Sequence, residues 1–208
     1  MENNKLLVCD IINVLKLKDE EILNIYMYGS RVYGCNPNGD YDLIIVTTGK
    51  NNYRQINEQN IDATIYSEDL FLEKIKEHEI SILECLFLPK DNILLERKRF
   101  LFNLDLFVLR SSISKKANNS FVKCKKKLTL EKDYSPYIGK KSLFHSLRIL
   151  MEGLQIAKYG EIVNYSEANY LWTDIVKKDI DDWNYYKEKY QSLFNSLNSE
   201  FRTYAPKI

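Results

Sequence analysis

Residues 26–46 read YMYGSRVYGCNPNGDYDLIIV, a Gly29-Ser30 turn followed ten positions later by two closely spaced aspartates. The apolar and aromatic run before Gly29 is typical of a buried strand, and the Gly-Ser pair ends it. Glycine lets the backbone approach a ligand closely, the serine hydroxyl can donate a hydrogen bond, and the N–H groups that open a helix favour anions. The turn therefore predicts a phosphate-binding cradle.

The two aspartates are Asp40 and Asp42, at the start of an apolar run that predicts a strand over residues 41–47. Side chains at i and i+2 of a strand point the same way, so we expect these carboxylates to lie together. Two such charges repel unless a cation lies between them, and Mg²⁺ is the usual ion. Asp62 supplies a third carboxylate, on the polar face of an alternating stretch that predicts a strand at residues 60–66.

The order of these features resembles the DNA polymerase beta-like nucleotidyltransferase superfamily. ILECLF at residues 82–87 and KKSLFHSLRILMEGL at residues 140–154 resemble its branch assigned to RNA repair, and the resemblance spans about residues 25–165. It implies transfer of a nucleoside monophosphate from an NTP, such as ATP, to an acceptor hydroxyl with release of pyrophosphate. Two Mg²⁺ ions, for which Mn²⁺ can substitute, are the implied cofactors.

The resemblance also implies a role for each site residue. Gly29 and Ser30 would hold the β- and γ-phosphates, with Arg31 assisting. Asp40 and Asp42 would bind both metal ions. Asp62 would complete the second metal site and promote deprotonation of the acceptor hydroxyl.

The expected fold class is α/β (α+β), a small mixed sheet with flanking helices followed by an all-helical C-terminal half. We expect a catalytic domain at residues 1–109 and a helical domain at residues 110–208. Residues 48–59 are polar and predict an exposed connection. Beyond Pro89 the sequence predicts helices, broken near residues 133–139 and again near Tyr159-Gly160.

Composition agrees with an intracellular enzyme. The chain has 208 residues, 45% hydrophobic and 28% charged, which suffices for a sizeable core and indicates neither disorder nor a membrane span. Its N-terminal residues lack the apolar run of a secretion signal, so we expect a cytoplasmic location. Four widely spaced cysteines without a C-x-x-C pair predict neither a disulfide framework nor a zinc site.

Positive charge is concentrated in residues 110–148, which carry eleven lysines and arginines against two acidic residues. Phe121, Tyr134 and Tyr137 interleave with these cations. The segment is either an RNA- or triphosphate-binding surface or a solvated basic helix face. The residues predicted to bind RNA are Lys123, Lys125, Lys126, Lys127, Lys140 and His145.

A polar stripe follows the helix predicted around residues 140–154. Lys141, His145, Arg148 and Glu152 recur at helical spacing and share one face. The stripe is either solvated or functional. In the functional case Lys141 and Arg148 bind the triphosphate of the nucleotide or an RNA backbone, and His145 contacts the same groups or is structural.

The favoured acceptor is an RNA 3′ end, such as that of a tRNA. Transfer to a protein hydroxyl, and a non-catalytic nucleotide- or RNA-binding module of the same fold, are the alternatives. The sequence shows no base-reading motif, so the nucleotide preference stays open.

Overall fold

In the computed structural model, which describes residues 6–50 and 52–206, five strands form one mixed sheet. The strands are β1 (Ile22–Tyr28), β2 (Tyr41–Thr47), β3 (Tyr53–Glu58), β4 (Ile61–Ser67) and β5 (Ile93–Glu96). Their order across the sheet is β3-β4-β2-β1-β5. The central pair, β2 and β4, is parallel, and the other neighbours are antiparallel.

Helices cover both faces of this sheet. They are α1 (Val8–Leu15), α2 (Ser30–Tyr33), α3 (Glu68–Lys76) and α4 (Ile80–Leu86). One face packs on α1 around an aliphatic core made of Ile11, Leu15, Ile22, Ile25, Leu43, Ile45, Ile61, Ala63 and Ile65. On the other face the Phe71 ring of α3 stacks on Tyr26 with a centroid distance of 6.0 Å. The alternation in β4 thus directs Asp62 away from the aliphatic core, as predicted.

Strand β3 corrects the prediction that residues 48–59 form a connection without secondary structure. This strand lies at the edge of the sheet, and almost all of its side chains are exposed. Because it buries no face, its sequence shows no alternation of apolar and polar residues. The ladder to β4 satisfies its backbone, and Gln59 and Asn60, at φ 46° and 68°, form a tight turn suited to a hairpin. Strand β5 likewise lies where only helices were expected, because β1 offers its backbone an antiparallel partner.

The chain divides into two compact units, Met1–Asn103 and Leu104–Ile208. In the described part of the second unit the helices are α5 (Leu106–Thr129), α6 (Pro136–Tyr159), α7 (Asn169–Ile175) and α8 (Trp183–Tyr204). The expected boundary at 109/110 falls inside α5, because the Asp105 side chain caps this helix by accepting from the Phe107 and Val108 amides. The structure confirms the predicted α/β class with a helical C-terminal half. Among the residues described, no helix is both long and apolar enough to cross a membrane.

Helices α5 and α6 form a closely packed antiparallel pair. The helices approach at Gly139, where an added Cβ would lie 3.1 Å from Leu128 Cγ, and at Gly153, where it would lie 2.6 Å from Ile113 Cγ2. The connection between them spans residues 130–135 and overlaps the break predicted at residues 133–139, of which residues 136–139 form the first turn of α6. Gly160, at φ 82°, ends α6. Gly153 therefore sets the distance between the two helix backbones.

We expect Gly153→Ala to destabilise the protein by about 1–3 kcal/mol, because the new methyl group would overlap Ile113 in a filled interior. The gain in helix propensity, about 1 kcal/mol, offsets only part of this loss. Urea denaturation measures the change. Ile113→Ala tests the contact from the other side. It should lower the free energy of unfolding less in the Gly153→Ala background than in the wild type. Wild-type stability of Gly153→Ala would contradict the prediction.

Candidate active site

The candidate site begins at the turn between β1 and α2. Gly29 adopts φ 79° and ψ −156°, a conformation open almost only to glycine. Its carbonyl accepts hydrogen bonds from the Val32 and Tyr33 amides at 3.0 and 3.2 Å, which starts α2 at the half-buried Ser30. A Cβ on Gly29 would lie 2.1 Å from Asp42 Oδ2. The glycine thus lets the Asp42 carboxylate lie directly against the turn.

Strand register brings two of the three aspartates side by side. Asp42 of β2 pairs in register with Asp62 of β4, and on its other side with Tyr28 of β1. In-register residues on adjacent strands project to the same face, so the half-buried Asp42 and Asp62 carboxylates share one region of the sheet. Gln55 Nε2 on β3 donates to Asp62 Oδ1 at 3.0 Å and orients that carboxylate.

Asp40 lies one residue before β2 and is exposed, outside the regular strand on which the i, i+2 expectation rested. Across residues 6–50 and 52–206, no three His, Cys, Asp or Glu side chains lie close enough together to form a metal-binding group. The adjacent Asp42 and Asp62 carboxylates are hard oxygen donors of the kind that Mg²⁺ takes. The residues that fit such an ion are therefore this pair, with Asp40 as a nearby candidate.

Arg31 joins the two sides of the loop between α2 and β2. Its Nε donates to the Gly39 carbonyl at 2.8 Å, and its guanidinium carbon lies 3.7 Å from the Tyr41 ring centroid. Both contacts lie beside Asp40. Arg31 therefore orders the loop that leads into the aspartate strand.

A buried hydrogen bond behind the turn was missed by sequence reasoning. Tyr33 of α2 donates through its hydroxyl to Glu84 Oε2 of α4 at 2.7 Å, and the two residues are 3% and 2% exposed. The feature of the sequence that indicates such a bond is Glu84, a lone carboxylate in the apolar run of α4. This bond ties the helix of the predicted cradle to the body of the unit.

Tyr28 and Cys85 show how apolar the space near the aspartates is. Burial raises the pKa of the Tyr28 hydroxyl far above its ordinary value, and Cys85, Asp42, Glu84 and Asp62 add to the rise. Burial, followed by the Glu84 charge, raises the pKa of Cys85 well above the usual range. Both side chains therefore stay protonated at neutral pH, and the Cys85 thiol is not a nucleophile.

We expect Tyr33→Phe to lower the free energy of unfolding by about 1–2 kcal/mol, because the Glu84 carboxylate loses a buried hydrogen bond. NTP affinity should fall with it, since α2 loses its tie to α4. Urea denaturation and nucleotide titration measure the two effects. The matched control is Tyr53→Phe, whose side chain is 56% exposed on the edge strand and should show no change. Equal stability of the two variants would refute the assigned role.

In the second unit, the lysines predicted to bind RNA fall into two groups. Lys123, Lys125 and Lys126 are exposed on α5. Lys127 forms an ion pair with Asp133, and the buried Lys140 pairs with Asp181 at 2.8 Å and donates to the Lys178 carbonyl at 2.9 Å. Lys140 therefore has a structural contact that the sequence pattern could not reveal.

The stripe on α6 is not a solvated face throughout. Arg148 Nη1 lies 2.6 Å from Glu152 Oε1, and the two side chains are 7% and 2% exposed. Lys141 and His145 are half-buried. Burial lowers the pKa of His145 well below its ordinary value, and the charges of Arg148, Lys141 and Lys123 lower it further. His145 is thus neutral at pH 7, in an electropositive setting shared by α5 and α6.

We expect His145 to make the folded state sensitive to acid. Histidine in an unfolded chain titrates near pH 6.5, and folded His145 resists protonation, so the unfolded state binds the extra proton first. Its contribution to stability is therefore complete above about pH 6.5 and falls as the pH drops below that value. His145→Gln should flatten this decline in urea denaturation between about pH 7.5 and 5.5. An unchanged slope would contradict the expectation.

Comparison with known proteins bears on the first unit. Residues 8–106 match the family model of the nucleotidyltransferase domain. No curated protein sequence matches the chain significantly. A solved structure of a nucleotidyltransferase-like protein from Exiguobacterium sibiricum 255-15 is similar at 13% identity, over 89% of this chain and 70% of that one, with a TM-score of 0.33, too low to carry an argument. The matched range contains the Gly29 turn and all three aspartates, so the N-terminal part of the chain is similar to a nucleotidyltransferase domain.

Proposed function

We propose that the protein transfers a nucleoside monophosphate from an NTP to the terminal hydroxyl of an RNA 3′ end, such as that of a tRNA. The observation that carries the proposal is the contact between the Gly29 turn and Asp42, with Asp62 in register beside it. A phosphate-binding turn and two carboxylates in one place are what transfer of a charged phosphoryl group requires. RNA repair is the process that the sequence resemblance suggests for this activity.

In this reaction the acceptor oxygen forms a bond to the α-phosphorus of the NTP. The bond from that phosphorus to the bridging oxygen of the β-phosphate breaks, and pyrophosphate leaves. The acceptor proton passes to the Asp62 carboxylate, which Gln55 orients through Oδ1. Gly29 and Ser30 position the β- and γ-phosphates, with Arg31 ordering the adjacent loop.

Asp42 and Asp62, with Asp40 beside them, are the residues that would hold divalent ions. Bound Mg²⁺ would supply neutralisation of the triphosphate and a lower barrier to loss of the acceptor proton. The chain's own contribution is then placement, because most of the rate gain in such transfer comes from positioning and charge neutralisation.

The RNA acceptor is supported by the second unit. Lys123, Lys125 and Lys126 present three exposed ammonium groups on one helix. Lysine neutralisation of phosphates supplies most of the affinity for nucleic acids. In this proposal Lys141 contacts the RNA backbone, and His145, neutral at pH 7, contributes hydrogen bonds rather than charge. Arg148, buried and paired with Glu152, has a structural contact instead.

The test is incubation of the purified protein with each NTP labelled at its α-phosphate, with Mg²⁺, Mn²⁺ or EDTA, and with or without total tRNA. RNA and protein products are resolved on the same gel. Label on RNA that needs the divalent ion and is lost in Asp42→Asn supports the proposal. Label on protein alone would assign the chain to protein nucleotidylylation. Nucleotide binding without label on either would make it a binding module.

A further inference from the structure

The turn between α5 and α6 exposes an unusual group of apolar side chains. Tyr134 and Tyr137 are each 54% exposed, and Leu130 and Ile138 beside them are 49% and 42% exposed. Phe121, another aromatic residue of this basic segment, packs instead against Trp183 and Phe194, with ring centroids 5.5 and 4.4 Å away, and Phe144 is buried. These two tyrosines are thus the aromatic rings that the segment presents to solvent.

Lysines surround this group, which we name the hairpin tip and define as residues 130–138. Lys126 precedes it and Lys132 lies within it, both exposed. Lys141 Nζ lies 5.5 Å from the Tyr137 ring centroid, within range of a cation–π contact. Asp133 is paired with Lys127, so the exposed Glu131 is the acidic side chain of the hairpin tip that remains to oppose Lys126, Lys132 and Lys141. The hairpin tip therefore combines ring faces with positive charge.

The backbone of the hairpin tip is tied to α5 by contacts within the protein. The Ser135 amide donates to the Lys127 carbonyl at 2.9 Å, and Pro136 fixes the first residue of α6. Gly139 follows at once, packed so closely on α5 that an added Cβ would lie 3.1 Å from Leu128 Cγ. Binding of a ligand that stacks on Tyr134 and Tyr137 would therefore lose little conformational entropy of the chain.

We propose that the hairpin tip is a stacking platform for unpaired bases of a single-stranded RNA, an inference that rests on the RNA acceptor of the proposed function. Tyr134 and Tyr137 contact base faces, and Lys126, Lys132 and Lys141 contact the flanking phosphates. Aromatic rings next to lysines form the usual surface for single strands, because every base has a face that stacks. Lysine is depleted from interfaces between proteins, which disfavours a protein partner.

The test is fluorescence anisotropy with a labelled single-stranded RNA of about twelve nucleotides, a typical site size, without NTP. The Tyr134→Ala/Tyr137→Ala double variant should bind at least about tenfold more weakly than the wild type, because it loses stacking with two bases. Its dependence on salt should stay unchanged. Lys126→Ala/Lys132→Ala should instead reduce the slope of log affinity against log salt by about 0.7 per lysine.

Two controls separate stacking from other effects. Tyr137→Phe keeps the ring and should bind as the wild type does. Tyr159→Ala removes a tyrosine that is 62% exposed at the far end of the same helix, about 33 Å away, and should also leave affinity unchanged. Circular dichroism verifies that each variant is folded.

The inference is overturned if the double tyrosine variant binds single strands as tightly as the wild type. It is also overturned if the wild type binds no RNA at low salt, or if the substitutions alter only self-association in sedimentation, which would assign the hairpin tip to a second copy. Because the assay contains no NTP, tyrosine-dependent binding without nucleotide transfer would uphold the platform and reject the transferase proposal. Transfer to RNA without tyrosine-dependent binding would do the reverse.

Discussion

Asp42→Asn is expected to reduce nucleotide transfer by at least about a thousandfold, because under the proposed function it removes a carboxylate that would hold the metal ion, and that ion would neutralise the reacting phosphates. The amide has the shape of the carboxylate, so the contact with Gly29 is kept. The substitution also relieves repulsion from Asp62 in the adjacent strand. Thermal stability without ligand should therefore be equal to or higher than that of the wild type.

Ligand-dependent stability provides a readout separate from turnover. A ligand that binds only the folded state raises stability in proportion to the logarithm of its concentration over its dissociation constant. Mg²⁺ with NTP should therefore raise the melting temperature of the wild type and have less effect on Asp42→Asn. Asp91→Asn, an exposed aspartate of the same unit, is the control and should behave as the wild type. Full activity of Asp42→Asn would reject the assigned site.

Gly29→Ala is expected to destabilise the protein by about 3 kcal/mol or more and to abolish transfer, since two costs add. The backbone at φ 79° and ψ −156° is strained for any residue with a Cβ. The new methyl would also overlap the Asp42 carboxylate, 2.1 Å from its Oδ2. Either the turn or Asp42 must move, and in both cases the arrangement proposed for catalysis is lost.

Gly49→Ala is the matched control for this substitution. Gly49 also has positive φ, 113°, but an added Cβ there would meet nothing within 4 Å. The Gly49→Ala substitution should therefore lower the free energy of unfolding by the backbone strain alone, about 1–3 kcal/mol, and should leave nucleotide transfer unchanged. Urea denaturation and the labelled-NTP assay compare the two variants. A Gly29→Ala variant no less stable than Gly49→Ala would show that the contact with Asp42 is not tight.

The sequence predicts an element of this fold well when that element buries a regular pattern of apolar residues. Strands β1, β2 and β4 follow from their apolar patterns because they lie inside the sheet and bury one or both faces. Strand β3 does not, since its exposed side chains carry no pattern and its pairing with β4 supplies the order. Edge strands are thus the part of this sheet that local sequence describes least well.

The candidate site shows the same division. The glycine turn and the three aspartates were identifiable because few other roles require those residues in that order. Three contacts could not be identified from the sequence: the Tyr33–Glu84 hydrogen bond, the pairing of Lys140 with Asp181 and the burial of the Arg148–Glu152 pair. Each of these contacts depends on how helices pack against other parts of the chain. Helical spacing alone does not distinguish a buried polar stripe on α6 from a stripe that faces solvent.

The sequence by itself determined the class of fold, the strand-turn-helix at Gly29 and the carboxylates available for chemistry, because backbone conformation and hydrophobic periodicity are local properties. Only the tertiary structure decided which carboxylates are neighbours: parallel register places Asp62 beside Asp42, while Asp40 lies outside the strand. It also decided which cations and rings face solvent, leaving Tyr134 and Tyr137 exposed while Phe121 and Lys140 are packed. Strand register and the burial of polar and aromatic side chains between helices arise from contacts between segments distant in the chain, so the local pattern does not specify them.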